Sequence, residues 1–215
     1  MRRMFVAVVV LVLAAMPVGA WASSSLLGPS GLILIPTADT LGTSQFNVGG
    51  SWFSSDSVDQ NVLYANIGLL PGLEIGAARV DNEDAGVETI LNAKFRLPQP
   101  MPVKLSLAVG VIDLTDQIDT TPYVVASHTV GAGLVGGVGS WSNLRVHLGV
   151  GGGEIGNVFG GLSANYGTST LIAEYDGSNL NLGVKLPVAP KLEVTAATVD
   201  AFGDFAIGLS FSSPW

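Results

Sequence analysis

The sequence predicts an all-β fold: a transmembrane antiparallel β-barrel of the outer-membrane kind, with about 12 strands, after a cleaved signal peptide. Three observations predict it. Apolar residues recur one in two along most of the chain beyond residue 43, the period of a strand with two different faces. The connecting segments alternate between two chemistries. The composition is apolar but spread out: of 215 residues, 48% are hydrophobic and 12% charged, with a mean hydropathy of +0.50. A soluble domain carries about a quarter charged residues. Yet no run beyond the leader approaches the roughly 20 apolar residues of a spanning helix. The apolar content excludes a disordered chain. The absence of Cys excludes disulfide scaffolds, thiolate zinc sites and cysteine nucleophiles. A net charge of −8 opposes nucleic-acid binding, which needs a basic face.

The leader comes first. Met1, Arg2 and Arg3 are followed by an apolar run over 5–16, broken by Pro17 and Gly19. Ala20, Trp21 and Ala22 then give the small-x-small pattern of a signal-peptidase site, which places the cut after Ala22 and exports the chain. Residues 1–22 are read as signal peptide, 23–42 as a periplasmic, plug-like segment, and 43–215 as the barrel.

The predicted strands are 43–54, 57–68, 73–81, 86–97, 102–112, 122–133, 141–151, 158–166, 169–176, 179–187, 190–199 and 204–212. Most have the length a tilted strand needs to cross a bilayer. In the fourth, Val87, Thr89, Leu91, Ala93, Phe95 and Leu97 form one face, and Glu88, Ile90, Asn92, Lys94 and Arg96 the other. Leu144, Val146, Leu148 and Val150 likewise oppose Asn143, Arg145, His147 and Gly149. A soluble sandwich keeps its outer face polar. Here the face opposite the apolar one is small or polar, which suits lipid outside and a wet lumen inside. In hydrocarbon every backbone amide must be paired internally, so the strands must close.

The connections sort by position. Odd-numbered ones hold Asp56 and Asp59; Asp81, Glu83 and Asp84; Asp113, Asp116 and Asp119; Glu154; Asp176; Asp200 and Asp204. These are 12 of the 17 acidic residues. Even-numbered ones are built on Pro71 and Gly72, the Pro98 to Pro102 run, Gly139 and Ser140, Gly167 and Thr168, and Pro187 to Pro190, and hold no acid. Two environments at the two strand ends follow. Outer-membrane barrels turn tightly in the periplasm, so the Pro-rich turns are assigned there and the acidic loops outside. The final strand stays in phase to Trp215, a terminal aromatic resembling the assembly signal read by the barrel-insertion machinery.

Inward phase assigns Glu88, Lys94, Arg96, Lys104, Arg145, His147, Glu174, Lys185 and Glu193 to the lumen, with Glu74 and Lys191 at similar depth. Two readings stay open: a graded pore with an acidic mouth above a mixed constriction, or charges that satisfy one another inside a plugged barrel. Trp52, Tyr64, Tyr123, Trp141, Phe159 and Tyr166 fall near strand ends and are read as interfacial anchors.

The stretch 28–42, GPSGLILIPTADTLG, does not alternate and is too apolar for a free linker. Its Gly31, Leu32, Ile33, then Ile35, Pro36, Thr37 and Ala38, with GTSQFNVG over 42–49, resemble the opening of YjbH-type proteins. The GLLPGLEIG hairpin over 68–76 and Pro122, Tyr123, Val124 and Val125 extend the resemblance to about residue 127. YjbH-type proteins are Gram-negative outer-membrane β-barrels linked to exopolysaccharide production. The resemblance implies a short, single-barrel relative with a structural or export-associated role, and polysaccharide-export components as partners. The motif of Gly31, Leu32, Ile35, Pro36, Thr37 and Ala38 is read as a plug, or as a leader that merely covers the first strand. The alternative functions are a porin-like passive channel for small solutes, cations among them, and a barrel enzyme acting on lipid or glycan.

Catalytic motifs fall away. The run GGGEIG over 151–156 matches the phosphate-binding spacing but precedes another strand, not a helix. His147 could partner a serine, as in barrel lipases. Two histidines and no metal-ligand spacing leave the chain read as a non-enzyme, without cofactor or metal.

Overall fold

A computed structural model describes residues 22–54, 59–98, 105–130, 141–153 and 155–213. The predicted signal peptide up to Trp21, and Lys104, Gly139, Ser140, Glu154 and the terminal Trp215, lie outside the described residues.

The described chain forms a closed, antiparallel barrel of 12 strands in simple up-and-down order, β12 pairing back onto β1. The strands are β1 (Phe46–Ser54), β2 (Gln60–Leu70), β3 (Leu73–Asn82), β4 (Gly86–Arg96), β5 (Leu105–Ile112), β6 (Thr121–Thr129), β7 (Trp141–Gly151), β8 (Val158–Tyr166), β9 (Ser169–Tyr175), β10 (Leu180–Ala189), β11 (Leu192–Val199) and β12 (Asp204–Ser212). The sequence expectation of a 12-stranded barrel holds, and most boundaries shift by three residues or fewer. One 3-10 turn, Asp200–Phe202, caps the β11–β12 loop.

Closure is set by register. Val48 sits opposite Phe211, and Trp52 opposite Ile207, so both strands keep the same side chains outward around the seam. The β4–β5 ladder is short, running from Ala93↔Val111 to Arg96↔Ala108. Beyond it the loop after β5 continues the pairing, with Leu114 N–H on Leu91 O (2.8 Å) and Asp113 N–H on Asn92 Oδ1 (3.1 Å).

The outer surface is apolar on every strand. Leu63 is 62% exposed and Leu148 61%, with Leu91, Val124, Leu162, Leu182 and Ile207 among the others. A belt of this kind has hydrocarbon as its natural solvent. His128 on β6 is exposed.

The inner surface departs from the sequence expectation. Small and polar side chains line part of it, but Val62, Val80, Ile90, Ile112, Val125 and Phe159 also point inward and are buried. The low charge of the chain therefore reflects a packed apolar interior as well as a lipid-facing exterior. Tyr64, Tyr123 and Phe159, read from sequence as interfacial anchors, are buried inside; Trp52 and Tyr166 are exposed. The reason is cross-strand. Gly49, Gly110 and Gly149 stand directly opposite these three rings, and each ring lies where a Cβ on its glycine would be. Tyr123 and Phe159 also meet edge to face, with centroids 6.5 Å apart.

Candidate functional site: the occupied lumen

The interior of the barrel is filled by the chain's own N-terminal segment. Residues 24–41 run through the lumen as a compact double turn. The bridges Ser24↔Ser30 and Gly31↔Pro36 and the bond from Leu26 N–H to Ile33 O (2.8 Å) hold it together. Leu26, Leu32, Ile33, Ile35 and Ala38 are all at most 4% exposed. Inward glycines receive the plug's side chains: Leu26 packs on Gly208, Leu32 on Gly161 and Ile33 on Gly183. The segment leaves the lumen across β2, where Gly42 O lies so near Gly68 that any side chain there would collide with it.

The polar wall is spent on the segment's backbone. Glu74, from the turn end of β3, accepts from Ser30 N–H (2.8 Å), Ser30 Oγ (2.5 Å) and Leu41 N–H (2.9 Å). Lys94 on the adjoining strand donates to Ser30 O (2.7 Å) and lies 3.6 Å from Glu74. Across the barrel, Glu174 accepts from Ile33 N–H and Leu34 N–H, both at 2.8 Å, and from Asn181 Nδ2 at 3.3 Å. Lys185 donates to Ser23 Oγ (2.8 Å), Ser24 O (2.6 Å) and Gly31 O (2.8 Å). Smaller groups complete the cradle: Ser51 Oγ donates to Leu26 O (2.6 Å) and Asn66 Nδ2 to Gly28 O (2.8 Å). A peptide backbone buried in a barrel must find partners for its amides and carbonyls, and inward charges supply them in strong, charge-assisted form.

Arg145 grips the far end of the segment. Its two terminal nitrogens donate to the two carboxylate oxygens of Asp39 at 2.5 and 2.9 Å, a bidentate pair. Burial opposes ionisation of Asp39, but the bonds and charge of Arg145 outweigh it and hold the carboxyl below its ordinary value. Next to this pair, His147 stands between two hydroxyls, Nδ1 2.8 Å from Ser127 Oγ and Nε2 3.2 Å from Ser163 Oγ. Ser127 Oγ also accepts from Ala38 N–H at 2.9 Å. With a serine on each ring nitrogen, the buried His147 is bonded to no carboxylate among the described residues that would orient it as a base.

Of the lumen charges read from sequence, Lys94, Arg145, Glu174 and Lys185 converge on the segment, and His147 joins them through Ser127. Glu193 is half-buried and bonded to the Ser23 hydroxyl. Glu88 is half-buried toward the loop end of β4, while Arg96 and Lys191 are exposed at the turn ends. Asp39 carried no sequence signal, since an acid in an unstructured stretch reads as solvent-facing; the cradle asparagines read only as part of the polar, inward face, with nothing to mark them as partners of the plug.

No protein-family model and no characterised protein matches the sequence. Among solved structures, the chain is similar to a KdgM porin, with a TM-score of 0.56 at 11% identity over 78% of this chain and 99% of that one. A structure of KdgM porin in complex with disordered oligogalacturonate matches equally, at TM-score 0.56 and 12% identity over the same shares. A NanC porin structure follows at TM-score 0.45 and 11% identity, over 77% of this chain and 98% of that one. At these identities the likeness is one of fold: a 12-stranded barrel of the porin type.

Proposed function

We propose that this protein is an outer-membrane channel of porin-like build, held closed by its own residues 23–42, with small solutes as its cargo. The observation that carries the reading is the chemistry of the cradle. A permanently filled barrel is served at least as well by an apolar interior, because buried ion pairs contribute little net stability. This wall instead holds the plug through Glu74, Lys94, Arg145, Glu174 and Lys185. When the segment withdraws, these groups are left lining a wettable passage, mixed in charge. The porin-type fold is consistent with such a passage, and the acidic loops would face the cell exterior and gather cations around the mouth.

The test is planar-bilayer recording of purified protein. The intact chain should be silent or flicker, and deletion of residues 23–42 should give steady conductance, with heat-modifiable gel migration confirming that both barrels are folded. A folded deletion variant that stays silent rejects the channel.

A second reading has its own observation. Gly31, Leu32, Ile35, Pro36, Thr37 and Ala38, which carry the resemblance to YjbH-type proteins, are buried or nearly so in the plug. A closed barrel of that type would act structurally or in export of surface polysaccharide, with export components as partners. Silence of both proteins in the bilayer, with loss of surface polysaccharide on deletion of the gene, favours this reading.

A further inference from the structure

The leader's cleavage site and the plug's first anchored residue coincide. Ala20, Trp21 and Ala22 direct the cut to the bond before Ser23. Among the described residues, Ser23 is also where the chain first engages the barrel. Its hydroxyl donates to Glu193 Oε1 on β11 and accepts from Lys185 Nζ on β10 (2.8 Å), and its carbonyl accepts from Gly31 N–H (2.9 Å). Ser24 and Ser25, the next two residues, are 3% and 2% exposed. The hydroxyl and carbonyl of Ser23 are thus already engaged. The α-nitrogen is the one group of Ser23 that processing changes.

The local charge is unbalanced before processing. The Lys185 ammonium lies in the field of two carboxylates, Glu193 and Glu174, and of the Lys94 cation, which is itself paired with Glu74. Glu174 is occupied by plug amides, and Glu193 is met by a neutral hydroxyl. One more positive charge beside Glu193 balances the group. We propose that Glu193 is the receptor for the α-ammonium created on Ser23 by cleavage after Ala22, so that removal of the leader adds an ion pair that locks the free end of the plug into the barrel.

The chemistry is hydrolysis of one amide. Water adds across the Ala22–Ser23 bond, its hydroxyl going to the Ala22 carbonyl carbon and a hydrogen to the Ser23 nitrogen. The acid so formed ionises, and the amine takes up a proton. That amine is three bonds from the Ser23 Oγ already bonded to Glu193, so covalent geometry keeps it within about 6 Å of the carboxylate. A small rotation of the terminal residue brings it to bonding distance. Around it stand Glu193, Lys185 and, from β2, the Tyr64 phenol, which senses Glu193. Lys185 opposes the new ammonium, but it is already committed to Ser24 O and Gly31 O. The lock goes beyond the channel reading, since it holds whether or not the barrel conducts.

The experiment uses mature protein extracted from outer membranes. Intact mass should place the N-terminus at Ser23. A small acylating reagent for α-amines should modify folded protein about tenfold more slowly at pH 7 than the heat-unfolded chain, the effect of a one-unit rise in amine pKa. The folded E193Q variant should lose most of that protection, while S23A, which keeps the α-amine, should retain it. If E193Q fails to fold, the labelling rate of wild type against pH decides. Its midpoint should lie above the ordinary α-amine value of about 8. A mature N-terminus elsewhere, equal labelling of folded and unfolded chains, undiminished protection in folded E193Q, or an ordinary midpoint each overturns the proposal.

Discussion

Toward the turn end, the lumen wall of the first six strands is mainly polar, with Asn47, Asn66, Glu74, Lys94 and Ser127; toward the loop end of the same strands it is mainly apolar, with Val62, Val80, Ile90, Ile112 and Tyr123 beside Ser51 and Thr121. The two regions hold their contents differently. The polar region binds a backbone through directional bonds, which fixes one register and one orientation of the plug. The apolar region packs side chain against side chain, which is non-directional and tolerant of rearrangement. Ile155 from the loop before β8 joins this packing from above. Emptied of the plug, the polar region would be wet, and the apolar region would be the least wettable part of the passage. On the channel reading the plug is therefore the gate, and the apolar region limits the current once the plug has gone.

The sharpest way to break the difference is at Lys185. Lys185→Met keeps length and removes the donor from Ser23 Oγ, Ser24 O and Gly31 O at once. Breaking a buried charged network by deleting one partner costs about 3–5 kcal/mol. The loss should fall on seating of the plug and leave the barrel closed on itself, since no ladder bond is touched. Limited proteolysis of the folded protein should cut within 23–42, at sites protected in the wild type. A variant as resistant as wild type would show that apolar packing alone holds the segment.

Phe159→Ala probes the other region. The ring is fully buried, lies over Gly149 and meets Tyr123 edge-on. Truncation of a core Phe costs about 3 kcal/mol or more, here with a glycine opposite that offers nothing to fill the space. The temperature of heat-modifiable unfolding should drop, while residues 23–42 stay protected from protease below it. Simultaneous loss of both would mean that the two regions form a single cooperative unit.

The same contrast explains what could be read from the chain. The strands were legible because lipid imposes a strict period on the outer face, as at Val87 to Leu97, and the connections because acid and proline segregate between them. The charges of the cradle were legible by phase, since Lys94, Arg145 and Lys185 fall on the faces opposite the apolar ones. The apolar half of the lumen was not. Where both faces are apolar, as around Val62, Leu63 and Tyr64 on β2, alternation of hydropathy fades. An aromatic near a strand end then reads as a membrane anchor. The glycines opposite Tyr64, Tyr123 and Phe159 do mark the rings as inward, but only once the register is known. Asp39 became a site residue through an ion pair spanning 106 positions of sequence, which no local pattern encodes.

The smallest expected effect concerns Asp39, the one charged group in the contact that belongs to the plug itself. It and Arg145 are half-buried, so water screens the pair and its contribution is about 1 kcal/mol or less. Its sign with pH is nonetheless fixed. The folded-state carboxyl is held below its ordinary value, because the Arg145 bonds and charge overcome the opposing effect of burial. The contribution is therefore complete above the ordinary carboxylate range of about 4 and is lost as pH falls through the lower, folded value. Acidification from pH 6 to 3 should raise the protease sensitivity of residues 23–42 slightly in the wild type. Asp39→Asn, which keeps the shape but not the charge, should start slightly more sensitive and lose the component due to Asp39. If D39N follows the wild-type profile unchanged, the acid response of the plug lies in the wall carboxylates, and the polar region is held from the barrel side alone.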